Sequence, residues 1–117
     1  MKIINHGKWS SYKPKPHPSG APLGAAFARR DEDNVDWYDY IHRGDYFKKD
    51  SVKIAATFMD VFNKWVVMIA VREPDRIFPA DQILLEITDF DGEDPQEFFG
   101  RKSYDPDTET FSDNKEF

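Results

Sequence analysis

The side chains of this chain that titrate near neutral pH are three histidines, His6, His17 and His42. General acid–base catalysis needs such a group, or a pair of carboxylates, held in a pocket. His6 and His17 fall in a segment that we predict to be an extended arm, so only His42 lies near a predicted strand. The side of that strand which carries His42 also carries other polar groups, namely Asp36, Tyr38 and Tyr40. We expect His42 to be a surface histidine at a strand end, and we assign no catalytic residue.

An acidic run offers the nearest approach to a metal site. Asp89, Asp91, Glu93 and Asp94 surround Gly92, an arrangement faintly like a calcium loop. The run lacks the roughly 12-residue spacing and the closing bidentate glutamate of such a loop, so we expect a solvated acidic loop without metal. The sequence has no cysteine, which excludes disulfides, thiolate metal sites and cysteine catalysis. It also has no phosphate-binding loop, dinucleotide glycine pattern, serine elbow or zinc-protease helix, so we predict no cofactor and no enzymatic activity.

Aromatic side chains are numerous, with 10 Phe, 5 Tyr and 3 Trp in 117 residues. Tyrosine and tryptophan combine a flat apolar body with a polar tip, which suits protein interfaces. We therefore predict protein binding by four residues, Trp9, Tyr12, Tyr38 and Tyr40. The alternative is that the arm folds back and covers these rings within one chain, and the sequence leaves both options open.

The elements that must position these residues are mainly strands. Alternating apolar residues, or short apolar runs, predict five of them, at residues 25–30, 35–42, 52–59, 65–71 and 81–87. A helical turn is the alternative for the last segment, and the alternation of its apolar residues favours the strand. The third and fourth form the strongest hairpin, and the uninterrupted apolar run of residues 65–71 indicates a central strand buried on both faces. Asp94, Pro95 and Gly100 are typical of the cap, first position and end of one short helix.

Prolines set the boundary of the predicted domain. Pro14, Pro16, Pro18 and Pro22 remove backbone donors, which favours an extended, basic arm over residues 1–24. We expect a single antiparallel β-meander of four or five strands over residues 25–111, followed by a frayed acidic tail at residues 112–117. The predicted fold class is mainly β.

The charge is distributed unevenly along the chain, whose net charge is −6. Residues 1–30 carry six basic residues and no acid, whereas residues 86–117 carry eleven acids and three bases. A basic head and an acidic tail attract each other within one chain or between neighbours. The acidic balance argues against nucleic acid as a partner, and the absence of a long apolar run argues against a membrane helix.

Four short motifs resemble those of small proteins encoded in the tail regions of bacteriophages and prophages. They are Phe27-Ala28-Arg29-Arg30, residues 35–40, Arg76-Ile77-Phe78-Pro79-Ala80 and residues 104–111. The last is similar to a Tyr-Asp-Pro-x-Thr-Gly-x-Phe pattern, with Glu109 where glycine is usual. Glutamate resists the positive φ that glycine accepts, so the turn geometry there is in question. The resemblance implies a phage or prophage origin and a role in the tail or in assembly, and it carries no catalytic residues.

We therefore expect a non-enzymatic structural or assembly protein that contacts a protein partner or itself, in the cytoplasm or on the virion. Two alternatives remain open. One is a small acidic regulatory protein that inhibits a host enzyme through the acids of residues 86–117. The other is a small hydrolase or metal-dependent enzyme centred on His42 or on the acidic loop.

Overall fold

The computed structural model of the chain describes residues 1–16, 19–21, 24–42 and 46–113. These residues form one antiparallel sheet of seven strands and two short helices. The strands are β1 (Ile3–Tyr12), β2 (Phe27–Arg30), β3 (Val52–Met59), β4 (Lys64–Val71), β5 (Gln82–Ile87), β6 (Ser103–Asp105) and β7 (Thr110–Ser112). The helices are α1 (Trp37–His42) and α2 (Pro95–Phe99). The predicted mainly β class is confirmed. The described residues do not include positions 17–18 and 22–23 of the predicted arm or positions 114–117 of the predicted tail.

The strands follow the order β2-β1-β5-β3-β4-β6-β7 across the sheet. The predicted hairpin of β3 and β4 is confirmed. The last of the five predicted strands is also confirmed, as β5. The sheet departs from a simple meander because β5 returns to lie between β1 and β3. The strands buried on both faces are β3 and β5, not β4, since Met68 of β4 is 52% exposed. Met68 is the extra residue of a β-bulge, because Ala55 pairs with Ile69 and Ala56 pairs with Val67.

The first strand corrects the prediction that residues 1–24 form one arm. β1 runs to Tyr12 and pairs with β2 on one side and β5 on the other. The first proline is Pro14, so every backbone donor of β1 is present and strand pairing is possible up to that point. A register shift between Asn5 and Lys8 includes Gly7, whose φ of 90° favours glycine.

The segment predicted as a strand at residues 35–42 forms α1 instead. Alternation placed Trp37 and Ile41 on one face, but helical spacing also brings Trp37 and Tyr40 to one side, and both are buried. Asp36 begins the helix: its side chain accepts a hydrogen bond from the Tyr38 backbone N–H at 2.8 Å. Consequently Asp36, Tyr38, Tyr40 and His42 do not share one face of a strand.

Each face of the sheet has its own core. On the face covered by α2, which we call the α2 face, Phe99 packs among apolar side chains of the central strands, including Ile54, Val67, Leu85 and Ile87. On the opposite, α1 face, Trp37 and Tyr40 pack with residues that include Trp9, Ala55, Leu84 and Ile77. Both faces of the sheet are therefore covered. A side chain that points away from the core on the α2 face can still be fully buried, because it then lies in the core on the α1 face.

The C-terminal elements agree with the local predictions. Asp94 caps α2 by accepting a hydrogen bond from the Glu97 backbone N–H, Pro95 opens the helix and Gly100 ends it. β6 and β7 form a hairpin in which Tyr104 pairs with Phe111. Glu109 in the connecting turn has a φ of 53°, so it adopts the conformation that the glycine of the phage motif favours.

Candidate functional site

A buried polar network on the α1 face contains the groups best suited to acid–base chemistry. Its histidine is His6, which lies on β1 and is 6% exposed. His6 Nε2 lies 2.8 Å from Glu86 Oε1, and His6 Nδ1 lies 2.6 Å from the Tyr40 hydroxyl. Arg30 Nη1 donates to the same hydroxyl at 3.1 Å. A line of hydrogen bonds therefore joins β2, α1, β1 and β5.

Glu86 is the anionic end of this network and has no exposed surface. Its Oε2 accepts hydrogen bonds from the Lys48 backbone N–H and the Ser51 hydroxyl, both at 2.6 Å. Lys53 lies nearby and donates to the backbone oxygens of Ser51 and Arg72, at 2.9 and 2.6 Å. A buried carboxylate with three donors and a neighbouring ammonium is well compensated.

The protonation states follow from these contacts. Burial raises the pKa of Glu86, but its bonds from Ser51, His6 and Lys48 outweigh this and hold the pKa below its usual value. Burial lowers the pKa of His6, against the opposing effect of Glu86, so His6 is neutral at neutral pH. An ionised Glu86 only accepts, so His6 Nε2 carries the proton. His6 Nδ1 then accepts from Tyr40, whose oxygen accepts from Arg30.

The network has the composition of a proton-transfer site but not its access. The adjacent cavity has a volume of about 640 Å³ and is lined by residues such as Phe47, Lys53 and Arg72, but not by His6, Glu86 or Tyr40. Both ring nitrogens of His6 are already bonded within the protein. A general base must reach the proton that it removes. We therefore assign the network to holding the α1 face together.

The remaining sites proposed for catalysis or metal binding are not assembled. His42 lies exposed at the end of α1, and His17 lies outside the described residues. In the acidic loop, Asp89 accepts a hydrogen bond from the Lys2 backbone N–H at 2.8 Å, which lowers its pKa. Within the described part of the chain, no group of three or more histidine or acidic side chains is arranged to hold a metal ion.

The four aromatic residues predicted to bind protein are mostly used within the chain. Trp9 and Tyr40 are 1% and 2% exposed and pack against each other in the core of the α1 face, so the chain itself covers these two rings. Tyr12 is half-buried, and its hydroxyl donates to the Asp36 carboxylate. Tyr38 is 39% exposed and donates to the Ala26 backbone oxygen. α1 and β2 supply much of this intrachain cover.

A different apolar surface is exposed where β3 turns into β4. Phe58 is 40% exposed, Val61 in the turn is 88% exposed, and the ring of Trp65 lies 5.3 Å from that of Phe58. We call Phe58, Val61 and Trp65 the tip surface. Period-two alternation places Phe58 in the same row as Ile54 and Ala56, but β3 here extends past the cover of α2.

A groove lies between this surface and the β6–β7 hairpin. Its volume is about 360 Å³, and we call it the tip groove; its lining includes Phe58, Trp65, Ser103, Tyr104, Asp105 and Asp107. The hydroxyls of Ser103 and Tyr104 are buried and have no hydrogen-bond partner among the described residues. Burial raises the pKa of Tyr104, and the nearby Glu109 and Asp105 carboxylates raise it further.

No helix in the described ranges is long and apolar enough to cross a membrane. Comparison with known proteins gave no matching family model, no matching curated protein and no matching solved structure.

Proposed function

We propose that the chain is a non-enzymatic structural or assembly protein of a phage or prophage particle that acts through protein–protein contacts. The observation that carries this proposal is the contrast between two sets of side chains. The acid–base groups are enclosed and paired inside the protein, whereas the tip surface leaves large apolar groups in water. The phage-type motifs, one of which includes the left-handed Glu109, supply the biological setting.

The tip surface supports this proposal because its two aromatic rings adjoin and its turn residue Val61 is 88% exposed. Single exposed apolar residues are common on protein surfaces, but adjoining ones rimmed by polar groups mark interaction sites. Val61 projects from a turn, Phe58 contacts Trp65, and Asp105 and Asp107 border the groove beside them. Burying these rings against a partner would remove apolar surface from water, which favours association.

Light scattering and particle fractionation test the proposal together. We expect the full chain either to exceed its monomer mass of 13.7 kDa in solution or to cosediment with purified phage particles or assembly intermediates. Val61→Asp should weaken whichever association is found, since it places a charge on the tip surface. Met68→Asp, an exposed apolar position on the β4 bulge, is the matched control. A chain that is monomeric at every concentration and absent from particles would contradict the proposal.

The acidic surface favours a second candidate, a small protein that inhibits a host enzyme. Asp91, Glu93 and Asp94 are exposed side by side, and Glu97 follows on α2. Such a run of carboxylates can imitate a nucleic-acid backbone. This candidate predicts binding to a nucleic-acid enzyme in competition with duplex DNA. Replacing the four acids by their amides should abolish that binding, and unchanged binding would exclude this surface.

A further inference from the structure

We infer that the tip groove binds the segment Lys13–Pro14–Lys15–Pro16 of a second copy of this chain. The inference rests on the proposed function, because it names one partner and one surface for the protein contacts. The juxtaposition that carries it is an acidic, aromatic groove with unused hydroxyl groups in a chain that also carries an exposed, basic, proline-containing segment.

The charges of the groove and the segment are opposite. Asp105 and Asp107 line the groove and are exposed, and Glu109 follows in the same turn. In the segment, Lys13 and Lys15 are both exposed. Opposite charges at the rim of an interface accelerate encounter and fix the register of the two surfaces. Lys64 also lines the groove, so the lining is not acidic throughout. The attraction for the segment therefore comes from Asp105 and Asp107.

The apolar surfaces are also complementary. Phe58 and Trp65 line the groove, and their ring centroids lie 5.3 Å apart. Proline rings pack against aromatic side chains in many grooves that bind proline-rich segments. Pro14 and Pro16 alternate with the two lysines, so the segment brings apolar rings and ammonium groups at adjacent positions.

The hydrogen-bonding groups match in the same way. A proline residue has a carbonyl acceptor but no backbone N–H, so the backbone of a Lys-Pro-Lys-Pro segment has more acceptors than donors. Tyr104 and Ser103 line the groove, are 2% and 7% exposed, and have hydroxyls without a partner among the described residues. A buried polar group left unpaired is destabilising, and an incoming carbonyl would supply the missing partner.

The occupant is a second copy because the chain's own segment does not reach the groove. Lys13 follows β1, which is separated from β4 by β5 and β3, and none of residues 13–16 lines the groove. A segment on one side of the sheet and a groove on the other form a head-to-tail contact. Such contacts produce closed rings or open filaments, depending on the rotation between successive copies.

Charge-reversed variants of the full chain test the inference by sedimentation equilibrium at low salt. Lys15→Glu and Asp107→Lys should each weaken self-association about tenfold, since each replaces an attraction with a repulsion. An equimolar mixture of the two variants should regain association close to that of the parent chain. In an alternating head-to-tail assembly, contacts between an intact groove and an intact segment alternate with contacts in which both charges are reversed.

Matched controls carry the same charge changes at other exposed positions. Lys49→Glu and Asp91→Lys should leave self-association within about twofold of the parent chain, because neither residue lies in the segment or the groove. Circular dichroism verifies that every variant is folded. A parent chain that stays monomeric at low salt overturns the inference, as does a mixture that fails to recover association.

Tyr104→Phe separates the hydroxyl contribution from folding. We expect about fivefold weaker self-association, the value of one ordinary hydrogen bond, with an unchanged or raised melting temperature. Tyr38→Phe removes a hydroxyl that is bonded within the chain, and it should lower the melting temperature without altering association. If Tyr104→Phe associates as the parent does, the groove does not use its hydroxyl and this pairing is wrong. If the chain binds phage particles but not itself, the inference fails and the proposed function stands.

Discussion

Glu86→Gln is the substitution that tests the buried network most directly. The carboxylate is fully buried and accepts hydrogen bonds from His6, Lys48 and Ser51. Glutamine keeps one acceptor oxygen, and its NH₂ group must face at least one of these donors. A hydrogen bond to a charged group contributes about 1.5–3 kcal/mol, and an unpaired buried donor adds a similar penalty. We therefore expect a loss of about 3 kcal/mol in the free energy of unfolding.

That loss is large for a domain of this size, whose total stability is of the order of 5–15 kcal/mol. It corresponds to a fall of roughly 12 °C in melting temperature for about 117 residues. Urea denaturation followed by tryptophan fluorescence measures it, because Trp9 and Trp37 pack against Tyr40 of the network. Glu97→Gln on the exposed side of α2 is the control, with an expected change below about 0.5 kcal/mol. A loss of less than about 1 kcal/mol for Glu86→Gln would refute the description of this carboxylate as an ionised, fully used acceptor.

Three further predictions concern pH and local backbone structure. The pKa of His6 in the folded chain lies below its usual 6.5. As the pH falls below 6.5, the unfolded chain therefore takes up a proton on His6 before the folded chain does. The contribution of His6 to the free energy of unfolding should be greatest above pH 6.5, fall as the pH drops from 6.5 towards the folded-state pKa, and level off below it. Denaturation curves that show a rise across this range instead would contradict the neutral His6. Glu109→Gly should stabilise the chain by about 0.5–1 kcal/mol, seen as a higher melting temperature, because glycine accepts the positive φ; a lower one would argue against the turn conformation. Asp94→Ala should cost about 1 kcal/mol through loss of the α2 cap, with faster amide exchange at Glu97, and unchanged exchange would count against the cap.

Elements defined by neighbouring residues could be predicted from the sequence. The β3–β4 hairpin follows from two apolar stretches on either side of a short turn. α2 follows from Asp94, Pro95 and Gly100, each of which acts on the backbone beside it. In each case the physical cause lies within a few residues of its effect.

The network and α1 could not be predicted because their causes are distant in the sequence. Glu86 alternates with Leu85 and Ile87, which indicates a solvent-facing position unless a second layer covers that face. That layer includes α1, but the alternating pattern of residues 35–42 predicted a strand there instead of a helix. His6 became a core residue only because β1 pairs with β5, and no local feature of the first twelve residues specifies that partner. The tip surface was also missed, since Phe58 follows the same alternation as the buried residues before it.

The pairing of β1 with β5 determines when this protein can finish folding during its synthesis. Ile3 pairs with Ile87, so β1 cannot complete its pairing until β5 has also left the ribosome. β2 also depends on this step, since it joins the sheet through β1 alone. Contacts between residues so far apart in the chain form slowly. The β3–β4 hairpin can assemble earlier, and the N-terminal third is therefore the part of the nascent chain that stays open longest to chaperones and proteases.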